Sequence, residues 1–128
     1  MEFTLKTIID ATAESIYNAW MDSEKHSEMT GGAANISNVI GAGFDAWDGY
    51  IEGENIKLEP NKKILQSWRT PEFEDDEPDS IVEILLSEKD GQTEITLIHT
   101  NLPDHGEQYR QGWDDYYFQP MKIYFSKV

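Results

Sequence analysis

The segment from Tyr109 onward constrains this chain most. Large apolar side chains recur at Tyr109, Trp113, Tyr117, Met121 and Tyr124, a spacing that places all five on one stripe of a helix. Tyr116, Phe118 and Phe125 widen the stripe. A helix this broadly apolar must be covered over most of its circumference, so the rest of the chain has to supply a surface that wraps it. Asp104 stands three residues ahead of Glu107 and just after Pro103, which predicts a capping box opening the helix. Two residues run against helix propensity. Gly112 should cost about 1 kcal/mol relative to alanine, and Pro120 withholds a backbone donor, so close packing or a bend is expected there.

The covering surface is legible upstream. Phe3, Leu5, Thr7 and Ile9 alternate with Thr4, Lys6, Ile8 and Asp10, the period of a half-buried strand. Thr12 then caps a helix that carries Ile16, Ala19 and Trp20 on one side. Asp22-Ser23 caps a second short helix reaching about Met29, ended by Gly31-Gly32. From Ala33 to Thr100 the pattern becomes an antiparallel meander, with strands expected near 43–47, 50–58, 63–70, 80–88 and 93–101. Asp48-Gly49 and Asp90-Gly91 supply residues that tolerate positive φ in tight hairpins. The stretch from Pro71 to Pro78 reads as a solvated loop. The expected class is α+β in a helix-grip arrangement: a curved antiparallel sheet of about six strands around a long C-terminal helix, with two short helices after the first strand.

A length of 128 residues accommodates one core, so residues 1–128 read as a single domain. The formal charge of -15 sets the field of the molecule against phosphate backbones and anionic lipid, which argues against nucleic acid and membrane surfaces and favours a basic protein partner. Aromatic residues at 12% argue against acidic disorder. The N-terminus alternates apolar and polar residues instead of forming a signal peptide, and no run approaches a membrane span, so the cytoplasm is the expected location. The absence of cysteine excludes a thiol nucleophile and a cysteine-ligated zinc.

Few motifs carry chemistry. Gly41-Ala42-Gly43-Phe44-Asp45-Ala46 matches a dinucleotide fingerprint as a string, but an alternating strand follows where that motif needs a helix, so it reads as a glycine-rich turn. His26, His99 and His105 lack metal-ligand pairing, and neither a metal nor a cofactor is expected. No nucleophile elbow occurs. Glu83 and Glu94 fall on the outer face of their strands. A gap between sheet and helix would be lined or filled by Trp47, Trp68, Ile84, Leu97, His99, Trp113, Tyr117 and Met121. His99 shares a strand face with Ile95 and Leu97, and reads as a hydrogen-bonded core histidine or as a polar anchor in an apolar pocket. Glu72, Glu74, Asp75, Asp76 and Glu77 form either a solvated loop or a docking surface for a basic partner.

Three stretches carry a family likeness: Asp48-Gly49 to Gly53, Leu58-Glu59-Pro60-Asn61-Lys62-Lys63-Ile64 running to Trp68-Arg69, and Gly112-Trp113-Asp114-Asp115-Tyr116-Tyr117-Phe118. Together with Thr12-Ala13-Glu14-Ser15-Ile16-Tyr17 and Gly43-Phe44, they resemble the activators of heat-shock protein 90 ATPase, over the whole chain. That family belongs to the START-like, birch-pollen-allergen-like superfamily often labelled SRPBCC. The resemblance implies a helix-grip fold and a noncatalytic, co-chaperone-like binding domain whose partner is a heat-shock protein 90-type chaperone. Its wider superfamily implies an alternative, a carrier of a small hydrophobic ligand held between sheet and helix. A cyclase- or hydrolase-like enzyme using His99 in that cavity is a third reading.

Overall fold

The computed structural model describes residues 1–126. The first strand, β1 (Phe3–Ile9), buries Phe3 and Ile9 and leads into α1 (Ala13–Trp20) and α2 (Ser23–Thr30). The helix starts form as their residues dictate: Thr12 Oγ1 accepts the Ser15 N–H at 3.1 Å, and Asp22 Oδ2 accepts that of Lys25 at 2.9 Å. Gly31, at φ 90°, ends α2 in the left-handed conformation. The meander follows as β2 (Gly43–Ala46), β3 (Ile51–Glu59), β4 (Lys63–Trp68), β5 (Ser80–Lys89) and β6 (Gln92–Thr100). Asp90 and Gly91, both at positive φ, make the two-residue turn between β5 and β6.

All pairings are antiparallel, in the order β1-β6-β5-β4-β3-β2, so the first strand lies beside the last. A bulge between Asn55 and Lys57 breaks the register of β3 against β4. Ile64, Ile84 and Leu97 sit opposite one another across three strands and are sealed from solvent. Glu83 turns to the other face and pairs with Lys63 at 3.0 Å, and Glu94 pairs there with Lys6.

The apolar rod lies on this sheet as α3 (Gln108–Trp113), a wide π turn (Asp114–Phe118) and α4 (Gln119–Ser126) in succession. Tyr109, Trp113, Tyr117, Phe118, Met121 and Phe125 are buried. The expected capping box is absent. Glu107 makes no side-chain cap and its Oε1 accepts instead from Arg110 Nε at 2.8 Å, while residues 104–107 form turns ahead of the helix. A carboxylate with a guanidinium one turn away takes the charged donor in preference to a backbone amide. The irregularity foreseen at Pro120 takes the form of the π turn just before it. In a regular α-helix the proline ring would strike the Tyr116 carbonyl, and the five-residue turn widens the helix at that point. Gln119 Nε2 reaches back five residues to Asp114 Oδ1 at 3.1 Å and spans the widened turn.

Gly53 marks the tightest point of the sheet. A Cβ there would collide with the Ser67 carbonyl oxygen and lie 2.9 Å from Phe44 Cε1. Gly53→Ala must therefore separate β3 from β4, and a loss of about 3 kcal/mol in urea unfolding is expected.

Candidate functional site

Two buried histidines organise the space beneath the rod. His99 is fully enclosed, with Trp113 Nε1 3.0 Å from its Nδ1 and Ser80 Oγ 2.8 Å from its Nε2. An indole nitrogen only donates, so Nδ1 must accept and the ring proton must sit on Nε2. That proton goes to Ser80 Oγ, whose own hydroxyl donates to the Trp68 carbonyl at 2.9 Å. The relay joins α3 to β6, β5 and β4 with every member satisfied. Burial then holds the imidazole neutral, its pKa lowered to about 3.

His26 repeats the logic at the other side. Its Nδ1 donates to the Trp20 carbonyl at 2.8 Å, and its Nε2 accepts from the Tyr117 hydroxyl at 3.1 Å. Burial again lowers its pKa, and burial raises that of Tyr117. Trp20 stacks on Tyr117 with ring centroids 4.8 Å apart, so α1, α2 and the rod share one aromatic cluster. His105 is separate: it faces Glu77 at 2.9 Å on the surface, and the hydrogen bond raises its pKa.

An open cleft of about 470 Å³ lies between the β2–β3 turn, the end of β4 and the first turns of the rod. Trp47, Trp68, Trp113 and Tyr117 line it, as does Glu72, expected instead on a solvated acidic loop. Ile84, Leu97, His99 and Met121, grouped with them on sequence grounds, do not reach it; they are enclosed beneath, Met121 included, with nothing exposed or next to nothing. His99 is thus a hydrogen-bonded core histidine. Sequence reasoning missed Tyr50, Ile51, Tyr109, Gly112 and Tyr116 as cleft residues. Gly112, a glycine inside a helix, was the available signal; the close packing expected there is not found, because an added Cβ would meet only Tyr116 Cδ2, at 3.9 Å. Packing does not demand the glycine, which leaves its cost of about 1 kcal/mol without a steric reason and its empty space open to the cleft.

Trp47 reaches the cleft by leaving the strand. The alternation expected through residue 47 stops at Ala46, and Trp47 and Asp48 adopt φ of 54° and 59°. A left-handed tryptophan is an outlier that costs roughly 1–3 kcal/mol. It lays the ring over Gly32, where a Cβ would lie 2.5 Å from Trp47 Cε3, and edge-on to Tyr116 at 5.4 Å. Trp47 Nε1 is buried and finds no acceptor among the described residues.

The acidic loop is only partly solvated. Phe73 is buried against Trp68 and Tyr109, because a single aromatic beside the core gains more from burial than the loop loses in freedom. Arg69 fastens the loop, donating to the carbonyls of Glu74 and Glu77 at 3.2 Å and to Asp79 Oδ1 at 2.8 Å. Glu77 accepts from the Glu74 N–H at 2.7 Å and from His105, which hold its carboxyl below the usual range. Glu72 accepts from Gln108 Nε2 and the Tyr109 hydroxyl, each at 3.2 Å. The neighbouring Tyr50 hydroxyl and the Gln108 amide keep its pKa low. Glu72, Glu74, Asp75 and Asp76 remain exposed, as a solvated loop requires.

Comparison with known proteins places these features in a family. The activator of 90 kDa heat shock protein ATPase homolog 1 of Homo sapiens is 29% identical over 126 residues, 98% of this chain and 37% of that protein. The chain spans only 32% to 37% of the length of such curated relatives. An HSP90 activator from Plasmodium falciparum shares the fold with a TM-score of 0.89 at 21% identity, covering 98% of this chain and 96% of that one. The Aha1 dimer from Colwellia psychrerythraea does so with a TM-score of 0.81 at 16% identity, covering 98% and 96%. The family described as Activator of Hsp90 ATPase homolog 1-like protein matches residues 10–126, through both early helices, strands β2 to β6 and the rod, and the chain belongs to it.

Proposed function

We propose that this domain is a noncatalytic, co-chaperone-type module that engages a heat-shock protein 90-type chaperone in the cytoplasm. One observation carries the reading: the family match runs unbroken from residue 10 to residue 126. The electrostatics agree with a docking role. Glu74, Asp75 and Asp76 stand exposed on a loop that Arg69 and Phe73 hold in place, so their charges are presented without ordering the loop on binding. Both buried histidines have each ring nitrogen committed to a structural hydrogen bond, which favours binding over proton transfer as the work of the domain. No helix among the described residues is long and apolar enough to cross a membrane.

The test is titration of the purified domain against the heat-shock protein 90 homologue of its host, at low and at high salt, with ATP turnover followed in parallel. A complex at low salt that weakens as salt rises is expected. Neutralising the loop as Glu74→Gln, Asp75→Asn and Asp76→Asn should slow association about tenfold at low salt and remove most of the salt dependence. No complex at low salt would remove the chaperone assignment.

A second reading rests on the cleft: carriage of a small hydrophobic ligand. Its volume of about 470 Å³ and its aromatic lining suit a small molecule, and Gly112 lines it where the helix gives up propensity and leaves space.

A further inference from the structure

We propose that the aromatic cleft takes a small organic cation with an apolar body, its ammonium head set against the ring faces and the Glu72 carboxylate. The inference rests on the second reading above and narrows it from apolar ligands in general to ammonium-bearing ones.

Four observations converge. The walls are aromatic at mixed angles: Trp47 stands at 72° to Tyr116, and Trp113 is tilted 41° from Tyr117 at 4.9 Å. Rings at such angles do not form a single stack, and a cation lying over any ring face among them meets the negative end of its quadrupole. The charge on the lining has one sign. Among the described residues Glu72 is its only carboxylate, and no lysine, arginine or histidine lines the cleft. Gln108 and Tyr109 both bond to Glu72 Oε2, which fixes the carboxylate at the rim in its ionised form. The field of a molecule carrying -15 draws cations toward the same opening. The rim itself is reachable, Tyr116 being 57% exposed and Tyr50 38%.

The fourth observation is that the cleft is kept open and walled against local preference. Trp47 holds a left-handed backbone, its Nε1 finds no acceptor among the described residues, and its ring meets Tyr116 edge-on. Gly112 leaves empty the space that almost any side chain would fill. The glycine meets no packing demand, and both residues line the cleft.

Benzyltrimethylammonium is the probe, with benzyl alcohol and phenylacetate as its neutral and anionic counterparts, at fixed ionic strength. Binding is read from tryptophan fluorescence and from the indole ¹⁵N shifts of Trp47 and Trp113. The cation is expected to bind about tenfold tighter than the alcohol, and the anion more weakly than either. Glu72→Gln should lose most of that preference. Gly112→Leu should abolish binding while the unfolding midpoint stays or rises, since leucine is the better helix former. Equal affinity for cation and alcohol would overturn the cation assignment and leave the apolar-ligand reading standing. No response to any of the three probes would overturn both. The comparison among probes needs no variant, so it holds even where a substitution impairs folding.

Discussion

His99→Ala should destabilise the domain by about 4 kcal/mol, a large share of the 5–15 kcal/mol typical of a folded domain. Two losses add. The Trp113 indole N–H keeps its burial and loses its acceptor, and Ser80 loses its donor partner. The imidazole also leaves a cavity among Phe3, Trp68 and Trp113, whose ring centroids lie 4.7 to 5.9 Å from its own. Urea unfolding measures the effect as a fall in midpoint at constant slope. His99→Gln separates the two losses, because an amide can accept from Trp113 and donate to Ser80, and part of the stability should return. If His99→Ala unfolds at the wild-type midpoint, the relay does not hold the rod to the sheet.

Stability should fall steadily as solutions are made mildly acidic. Folded His99 is neutral with its pKa lowered to about 3 from an ordinary value of 6.5, so over that interval the unfolded chain binds more protons than the folded one. Stability from this group is therefore complete above about pH 6.5 and is lost as pH drops toward 3, at about 1.4 kcal/mol per pH unit. His26, lowered by burial, contributes with the same sign. Carboxylates with ordinary values protonate only nearer pH 4, so the upper half of the window belongs to the two buried histidines, with the exposed His105, raised by its hydrogen bond to Glu77, acting weakly in the opposite sense. Denaturant midpoints recorded from pH 7 to pH 5 test this, and His99→Gln should flatten the slope. A wild-type stability that does not change over that range would contradict the buried neutral imidazole.

The rod, the sheet and the hairpins were legible in the sequence because each follows from a local period or a local turn residue. Tyr109, Trp113, Tyr117 and Met121 lie on a stripe whatever the helix touches, and Asp90-Gly91 turns whichever strands it joins. What failed depended on particular partners that a local period or a turn residue does not name. The Asp104–Glu107 box lost to Arg110, which a capping rule does not weigh. Phe73 is buried by Trp68 and Tyr109, although its own segment reads as a run of acids. Trp47 obeys alternation only while the strand lasts, and its left-handed backbone is set by the room over Gly32. The cavity residues divided on the same ground. Ile84, Leu97 and Met121 share the apolar character of Trp47 and Trp113, and only their place beneath the rod, beside the buried His99, separates these enclosed residues from the cleft wall.

The His99 relay closes the interior beneath the rod with each of its members paired, and the recognition proposed above falls to the acidic loop and the aromatic cleft. ¹⁵N NMR of histidine-labelled protein tests it most directly, since the two ring nitrogens of His99 report its tautomer. A neutral ring protonated on Nε2, unchanged from neutral pH down to about pH 4.5, is expected while the protein stays folded. A His99 ring that titrates near its ordinary value in the folded protein, or that carries its proton on Nδ1, would contradict the relay with Trp113 and the closed interior with it.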